Sequence, residues 1–227
     1  MQQPRDILAS LWAGAGLATE ALDYVRLTGA DPVLPSSFRV GAAAQSAVAA
    51  AALAAGEIWH LRTGRRQQVS VDMRHAAVEF RSERYVSVDG AAYNEPTDRI
   101  LGLYCCDDGW VRLHTQFPHH RDGILRLLGC DYDPGAVQKA LDGWRRYEFE
   151  DAAAERGLCA TALRRFEEWD AHAQGRAVPA LPLVSIEKIG DAVPQPLPPA
   201  SRPLSGVRVL DLTRVIAGPV CGRTLAA

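Results

Sequence analysis

A long alanine-rich segment constrains the fold of this chain more than any other feature of its sequence. Alanine, the best helix former, dominates residues 38–63, and Gly64 suits the left-handed position that often follows a helix. We therefore predict a helix from about Phe38 to Thr63, with an alanine face that allows close packing against another helix or a second subunit. The run Val40–Trp59 also contains Gln45 and Glu57, which favours a packed helix of a soluble protein over a membrane span.

Composition sets outer limits on function. The chain has 227 residues, 48% of them hydrophobic, and a formal net charge of -2. This weak charge and the lack of Lys/Arg blocks argue against nucleic acid and membrane surfaces as partners. The first residues show no signal-peptide pattern, and we expect a cytoplasmic protein.

The five cysteines form no CxxC pair and have no histidine at metal-ligand spacing, so we expect reduced, mostly buried cysteines and no metal.

Proline and serine residues separate the alanine-rich helix from an earlier helical segment. Apolar spacing predicts that first helix over Pro4–Gly29. Asp31-Pro32 then interrupts the pattern, because the residue before a proline is steered out of the helical region. Ser36 or Ser37 is positioned to cap the helix that follows.

A strand followed by a helix is predicted after the alanine-rich helix. Val69 and Val71 alternate with polar residues over Gln68–Asp72, as in a half-buried strand. Helical spacing resumes over Met73–Val88, and Asp72 is well placed as the N-cap of that helix. The chain is therefore expected to turn a strand-to-helix corner at Asp72.

A hairpin and further helices are predicted for the middle of the chain. Asp107-Asp108-Gly109 separates two short apolar runs within Leu101–Leu113, a pattern typical of a hairpin turn. Phe117–Leu128 has helical spacing, and the pattern of Glu148–Trp169 indicates one or two polar helices. The fold class indicated is α+β, a helix-rich module with a small hairpin.

The last part of the chain differs from the rest in composition and periodicity. Asp191–Pro203 is rich in proline and aperiodic, which predicts an extended linker. After it, Val207–Leu212 is an apolar run typical of a buried parallel strand, Thr213–Gly218 is a loop, and Pro219 opens a helix. One strand and a helix stub cannot bury two apolar faces, so we expect the truncated start of a larger domain. The predicted organisation is a module over residues 1–190, a linker over 191–203 and the second domain over 204–227.

Three motifs together carry a resemblance to a known family. Residues 203–226 read PLSGVRVLDLTRVIAGPVCGRTLA, which is similar to a PLxGxxVLDxT strand followed by an AGP turn. AAALAAGEIWHLRTGRRQQVSVDMRHAA, within Gly41–Ala77, is similar to a helix, an RTGxGQ turn and a VDVSMxDA corner. Leu101–Gly129 adds a DG hairpin before a helix ending in LLG. These stretches resemble the class III CoA-transferases (formyl-CoA transferase, carnitine CoA-transferase and α-methylacyl-CoA racemase).

The order of the motifs suggests how the chain is organised. In the family the PLxGxxVLDxT signature opens the protein, whereas here it follows the middle region. We therefore interpret the chain as a degenerate amino-terminal copy followed by the start of a second copy. The resemblance implies a Rossmann-like α/β domain beginning with the second copy, and an interlocked homodimer or an intramolecular pseudo-dimer.

The resemblance also implies coenzyme A as the acyl carrier and acyl-CoA and carboxylates as substrates. In the family, the turn after the first strand lines the CoA and acyl site. Carried over to this chain, the cofactor-binding positions are Arg214, Val215, Ile216 and Ala217. A helix N-terminus at this turn would present backbone amides to an anionic group.

The same resemblance places His75 where the family carries its catalytic aspartate. Family members use that carboxylate as a nucleophile, by way of a mixed anhydride and an aspartyl-CoA thioester. An acyl-imidazole cannot become that thioester, so the first copy has lost this chemistry unless Asp72 substitutes from one helical turn earlier. Two alternatives stay open: His75 as a general base of a racemase, and a non-catalytic module for dimerisation and substrate shaping. We expect a CoA-transferase as the parent protein and an inactive fragment.

Overall fold

A computed structural model describes residues 3–93 and 96–227 of the chain. They form two compact units: the described residues up to Ala92 with Pro182–Ala227, and Tyr93–Leu181. The mixture of helices and small sheets agrees with the predicted α+β class. In chain order the helices and strands are α1 (Pro4–Gly14), β1 (Val25–Thr28), α2 (Val40–Thr63), β2 (Val69–Asp72), α3 (Met73–Glu79), β3 (Ser87–Val88), β4 (Ala91–Ala92), β5 (Gly102–Cys106), β6 (Gly109–Leu113), α4 (Pro118–Leu128), α5 (Pro134–Leu141), α6 (Arg146–Ala154), β7 (Ala160–Ala162), α7 (Phe166–Ala171), α8 (Ala173–Ala177) and α9 (Ala217–Ala226).

The alanine-rich helix α2 is the centre of the first unit, and its predicted end is confirmed. Gly64 follows it with φ 71°, the left-handed conformation that glycine adopts without strain. By length and hydropathy alone α2 could cross a membrane. In the structure its small buried residues instead let α1, β1, β2 and α3 pack closely against it.

The predicted N-cap of α2, Ser36 or Ser37, is wrong. The backbone N–H of Ala42, in the first turn, donates to Oδ2 of Asp31 at 3.0 Å. A side chain at Gly41 would clash with the same carboxylate, since a Cβ there would lie 2.1 Å from Oδ1 of Asp31. A capping residue so far ahead of the helix leaves no local pattern in the sequence.

The predicted single helix over Pro4–Gly29 ends at Gly14, and the range continues with a 3₁₀ helix over Thr19–Tyr24 and strand β1. This strand pairs in parallel with β2, placing Val25 opposite Val69 and Thr28 opposite Asp72. Its partner is distant in the sequence, so tertiary context overrides the helical spacing. The buried core shared by these strands, α1, α2 and α3 consists of Leu8, Val25, Ala44, Ala49, Val71 and Ala76.

Strand β2 is confirmed, whereas α3 is shorter than the predicted Met73–Val88. The helix ends at Glu79. The apolar side chains on which the longer prediction depended, Phe80, Tyr85 and Val88, are exposed. A helix without a buried apolar face lacks the tertiary packing that sustains most protein helices.

In the second unit, α4, α5 and α6 share a core with one face of the three-stranded sheet β5–β6–β7. The predicted hairpin is confirmed, because β5 and β6 are antiparallel with Cys106 opposite Gly109 at the turn. The helix predicted over Phe117–Leu128 is also confirmed as α4, with Phe117 as its N-cap. The buried core of this unit consists of Ile100, Tyr104, Val111, Leu113, Ile124, Val137, Leu141, Phe149, Ala153 and Ala160.

The polar helices predicted over Glu148–Trp169 are interrupted by a strand. Helices α6 and α7 overlap this range, but β7 separates them and pairs antiparallel with β6. Three residues are too few for a periodic signal, so this strand is defined by its pairing with Val111–Leu113. Helix α5 was not predicted from the sequence.

The segment that follows the second unit has little regular structure. Residues 185–200 form neither helix nor strand. The strand predicted over Val207–Leu212 is not formed: no strand in the described part of the chain pairs with it. Leu210 and Leu212 are 81% and 85% exposed. The helix predicted to open at Pro219 is α9, which begins two residues earlier, at Ala217.

Candidate functional site

The carboxyl ends of β1 and β2 form the corner that carries the candidate catalytic position. Thr28 and Asp72, the last residues of the two strands, lie opposite each other. Buried Gln45 of α2 donates from Nε2 to the carbonyl oxygens of Thr28 at 2.7 Å and Val71 at 2.9 Å. One side-chain amide therefore ties both strand ends to the central helix. Ligands of parallel sheets commonly bind at this end of the strands.

Asp72 is held as the N-cap of α3, as predicted. Its Oδ1 accepts the backbone N–H groups of Arg74 at 3.0 Å and His75 at 3.3 Å. Its Oδ2 accepts the hydroxyl of Thr28 at 3.1 Å. These hydrogen bonds, the one from the His75 amide foremost, lower the pKa of Asp72 against the opposing effect of burial. A carboxylate stabilised in this way is a weak nucleophile, so the geometry supports capping.

His75 lies on the first turn of α3 with an exposed side chain. Glu79 is four residues further on, so it shares a helix face with His75. The carboxylate of Glu79 forms an ion pair with Arg223 of α9. The corner that carries His75 is therefore one helical turn from a contact with α9.

The candidate cofactor-binding residues lie at the entry to α9. Val215 has φ 74°, which is unusual for a β-branched residue, and the helix begins at Ala217. Just ahead, Oδ1 of Asp211 accepts the hydroxyl of Thr213 at 2.5 Å and its N–H at 2.8 Å. These two hydrogen bonds lower the pKa of Asp211, the one from the hydroxyl foremost. Gly218 gives Thr213 room, since a Cβ there would lie 2.2 Å from Cβ of Thr213.

This entry turn faces solvent. Val215 and Ile216 are 72% and 61% exposed. The first amides of a helix have no carbonyl partner within the helix, so they can donate to an anion. The structure thus places all four predicted residues, Arg214 to Ala217, on one exposed turn, and Arg223 joins their helix to α3 through Glu79.

Sequence reasoning missed three residues that build the corner. Gln45 ties the strand ends together, Thr28 hydrogen-bonds Asp72, and Asp31 caps α2. Only Gln45 could have been found from the sequence, because it is a polar residue inside an alanine-rich run. Thr28 and Asp31 have no local signal because their partners are distant in the sequence.

The sequence also contains other histidines and five cysteines. His114, His119 and His120 gather around Phe117, with 4.1 Å between the ring centroids of His119 and His120. Burial lowers the pKa of His120, and its two histidine neighbours add to the effect. Four cysteines are half-buried and Cys221 is exposed, so the prediction of mostly buried cysteines holds only in part. Residues 3–93 and 96–227 contain no group of three or more His, Cys, Asp or Glu side chains that could hold a metal ion.

Comparison with known proteins finds a distant relative by sequence. No protein-family model matches the chain. A protein of Gibberella moniliformis named acyl-CoA transferase is 28% identical over 211 residues, an alignment covering 75% of this chain and 36% of the relative. This chain resembles an acyl-CoA transferase. It spans little more than a third of that relative.

The solved structures of Rv3272 from Mycobacterium tuberculosis resemble the fold. An orthorhombic crystal form matches with a TM-score of 0.53 at 16% identity, covering 78% of this chain and 51% of Rv3272. Another structure, described as a hypothetical protein, matches with a TM-score of 0.54 and covers 74% of this chain and 62% of its own. At such low identity the match shows the fold alone. The described chain therefore shares its fold with part of a longer protein.

Proposed function

We propose that this chain is part of a class III CoA-transferase that acts on acyl-CoA thioesters and carboxylic acids, and that the chain alone is inactive. The observation that carries this proposal is the similarity to the acyl-CoA transferase of Gibberella moniliformis. The three motifs described above support the assignment to class III. Since the chain spans 36% of that relative, the rest of a parent protein has room for a complete catalytic unit.

The proposed organisation is a degenerate copy over residues 1–190, a linker over 191–203 and the start of a second copy from 204. The exposed run Val207–Leu212 supports this arrangement, because its composition suits a buried parallel strand. The second copy, or a partner in an interlocked dimer, would supply a Rossmann-like sheet. That sheet would pair with the backbone N–H and C=O groups of Val207–Leu212 and cover its side chains. We place this assembly in the cytoplasm.

The inactivity of the first copy follows from the chemistry of His75. A carboxylate nucleophile attacks the thioester carbonyl of acyl-CoA, releases the CoA thiolate and becomes a mixed anhydride. The thiolate then attacks the nucleophile's own carbonyl, which releases the acyl group as a carboxylate and leaves an enzyme-CoA thioester. An imidazole has no carbonyl for this second step. Asp72 has one, but its oxygens accept hydrogen bonds from Arg74, His75 and Thr28.

Coenzyme A is proposed to contact the turn Arg214–Ala217. The helix that follows has ten residues, so its aligned peptide dipoles favour an anionic group at this end. Gly218 leaves room for Thr213, and the Asp211–Thr213 hydrogen bonds order the residues just ahead of the turn. The proposed role of the turn is to receive a negatively charged part of the cofactor.

A second candidate function is a non-catalytic module that shapes the substrate site and mediates dimerisation. The observation that favours it is the capping of α3 by Asp72, which leaves the corner without an available carboxylate nucleophile. A catalytic aspartate in the second copy would favour the transferase, whereas its absence would leave a binding protein. Within this chain, the two candidates differ in whether CoA binds.

Calorimetric titration of CoA into the purified chain tests the cofactor proposal. Ile216→Asp places a negative charge beside the helix entry and should weaken CoA binding by roughly tenfold. Leu210→Asp is the matched control, because it adds the same charge at an exposed position outside the turn and should leave affinity unchanged. Equal losses in both variants would exclude the turn as the site, and no binding by the wild-type chain would favour the non-catalytic module.

Mass spectrometry tests the proposed inactivity. The chain is incubated with an acyl-CoA and a carboxylate acceptor, then digested and searched for acyl or CoA adducts. We expect no adduct on the peptide that contains Asp72 and His75, and no product acyl-CoA. A CoA thioester on Asp72 would overturn this part of the proposal, as would turnover at the rate of a complete transferase.

A further inference from the structure

Three histidines gather at the start of α4, in a part of the second unit that the proposed function does not use. His119 and His120 are the second and third residues of the helix, and His114 directly follows β6. The ring centroids of His114, His119 and His120 lie 6.3, 5.9 and 6.2 Å from that of Phe117. Those of His119 and His120 are 4.1 Å apart. Three groups that can each gain a positive charge are therefore packed around one aromatic side chain.

The surroundings of His120 favour its neutral form. Its side chain is half-buried, whereas those of His114 and His119 are exposed. Its Nδ1 is shielded from solvent and has no hydrogen-bond partner among the described residues. An imidazolium has an N–H group at both nitrogens, so protonation would leave a buried donor without an acceptor at Nδ1. Such a group is costly.

The charges around His120 act in the same direction. Burial lowers its pKa, and His119 on its own helix and His114 at the end of β6 lower it further. The first turn of α4 contains no acidic residue, and the positive end of the helix dipole disfavours cations there. Arg121 and Asp122, the next two residues, pair with each other at 2.8 Å. Each of these effects except the balanced pair opposes a positive charge at this turn.

We propose that His114, His119 and His120 form a pH-sensitive switch. When uncharged they pack on Phe117 and close the first turn of α4, and when protonated they repel one another and open it. The N–H groups of His120 and Arg121 report the state of the switch, because both donate to the carbonyl of Phe117, at 3.0 and 3.1 Å. The proposal is independent of the CoA-transferase assignment, since none of these residues belongs to the corner or to the α9 turn.

The direction of the pH effect follows from proton linkage. The folded pKa of His120 is lowered, so the open turn binds its proton more readily than the closed turn. The contribution of His120 to closure is therefore full above its ordinary pKa of 6.5 and is lost as the pH falls from there through the folded pKa. The turn should stay closed at neutral pH and open in mild acid.

Hydrogen exchange of the full chain, followed by NMR, tests this proposal. Protection, corrected for the intrinsic effect of pH on exchange, is compared at about pH 7.5 and about pH 5.5, on either side of the titration of histidine. We expect the protection of the His120 and Arg121 amides to fall in acid by roughly twofold to tenfold. The amide of Val137 in α5, which donates to the carbonyl of Asp133 at 3.0 Å, belongs to the same unit and should keep its protection.

Two substitutions separate this switch from general acid sensitivity. His119→Gln removes the ring 4.1 Å from His120 at an exposed position that does not threaten the fold, and it should make the loss of protection smaller. His172→Gln is the matched control, because it removes a histidine of the same unit outside the cluster and should leave the loss unchanged. The proposal is overturned if the two amides keep their protection in acid, if Val137 loses protection equally, or if both variants have the same effect.

Discussion

Replacing Glu150 with glutamine should selectively destabilise the second unit. Glu150 of α6 and Arg164, just after β7, form an ion pair with side chains that are 17% and 16% exposed. Oε1 of Glu150 accepts hydrogen bonds from Nη1 of Arg164 and from the N–H of Ala162, each at 2.9 Å, and Oε2 accepts one from Nη2 of Arg164. This carboxylate therefore holds the short strand β7 and the following arginine against α6.

The expected loss is roughly 2–4 kcal/mol of unfolding free energy, because Glu150→Gln leaves a largely buried guanidinium without its counter-charge. Glu155→Gln is the matched control. Glu155 pairs with Arg156 but is 78% exposed, so its loss should cost less than about 1 kcal/mol. Hydrogen exchange of the β7 amides, with urea unfolding alongside, measures both variants.

The pH dependence gives a second test of the same pair. Burial alone would raise the pKa of Glu150, but hydrogen bonds from Arg164 and Ala162 hold it below its ordinary value of 4.5. A carboxyl group with a lowered folded pKa contributes stability that is fully present above the unfolded pKa and is lost as pH falls through the folded pKa. The difference between wild type and Glu150→Gln should be complete at pH 7, shrink as the pH falls from the unfolded pKa through the folded pKa, and be lost below it. Equal stability of the two glutamine variants, or a difference that does not vary with pH, would refute this reasoning.

Three further substitutions or reactions test other parts of the structure. Gln45→Leu leaves two strand-end carbonyls without their donor and should cost roughly 2 kcal/mol, measured by urea unfolding; no change would contradict the role of Gln45 in tying the strands to α2. Tyr132→Phe removes a 2.7 Å hydrogen bond to Asp98 and should cost about 1–2 kcal/mol in the same assay. Burial raises the pKa of Cys106 to about 11, so Cys221, which is exposed, should react with iodoacetamide well before Cys106; the reverse order by peptide mass spectrometry would contradict the structure.

The candidate site was predictable only in part. The motifs located His75 and the turn from Arg214 to Ala217, and the structure places the first on an exposed helix turn and the second at the entry to α9. Their roles remain predictions. The hydrogen bonds of Gln45 and Thr28 that build the corner were not predictable, because each joins residues far apart in the chain.

The sequence by itself determined the elements that depend on local interactions. Alanine propensity and Gly64 define the end of α2, Asp-Gly defines the hairpin turn, and Asp72 defines the start of α3. In each case the residues that form the stabilising interaction are adjacent or one turn apart, so their spacing is visible in the sequence.

Only the tertiary structure decided the elements whose partners are distant. Strand β1 forms because it pairs in parallel with β2, and β7 forms because it pairs with β6. The start of α2 is capped by the side chain of Asp31. The apolar run Val207–Leu212 gives the converse case: it has the composition of a strand, yet no strand in the described chain pairs with it. The physical reason is the same throughout, since a strand is stabilised by the hydrogen bonds of a neighbour that local sequence does not identify.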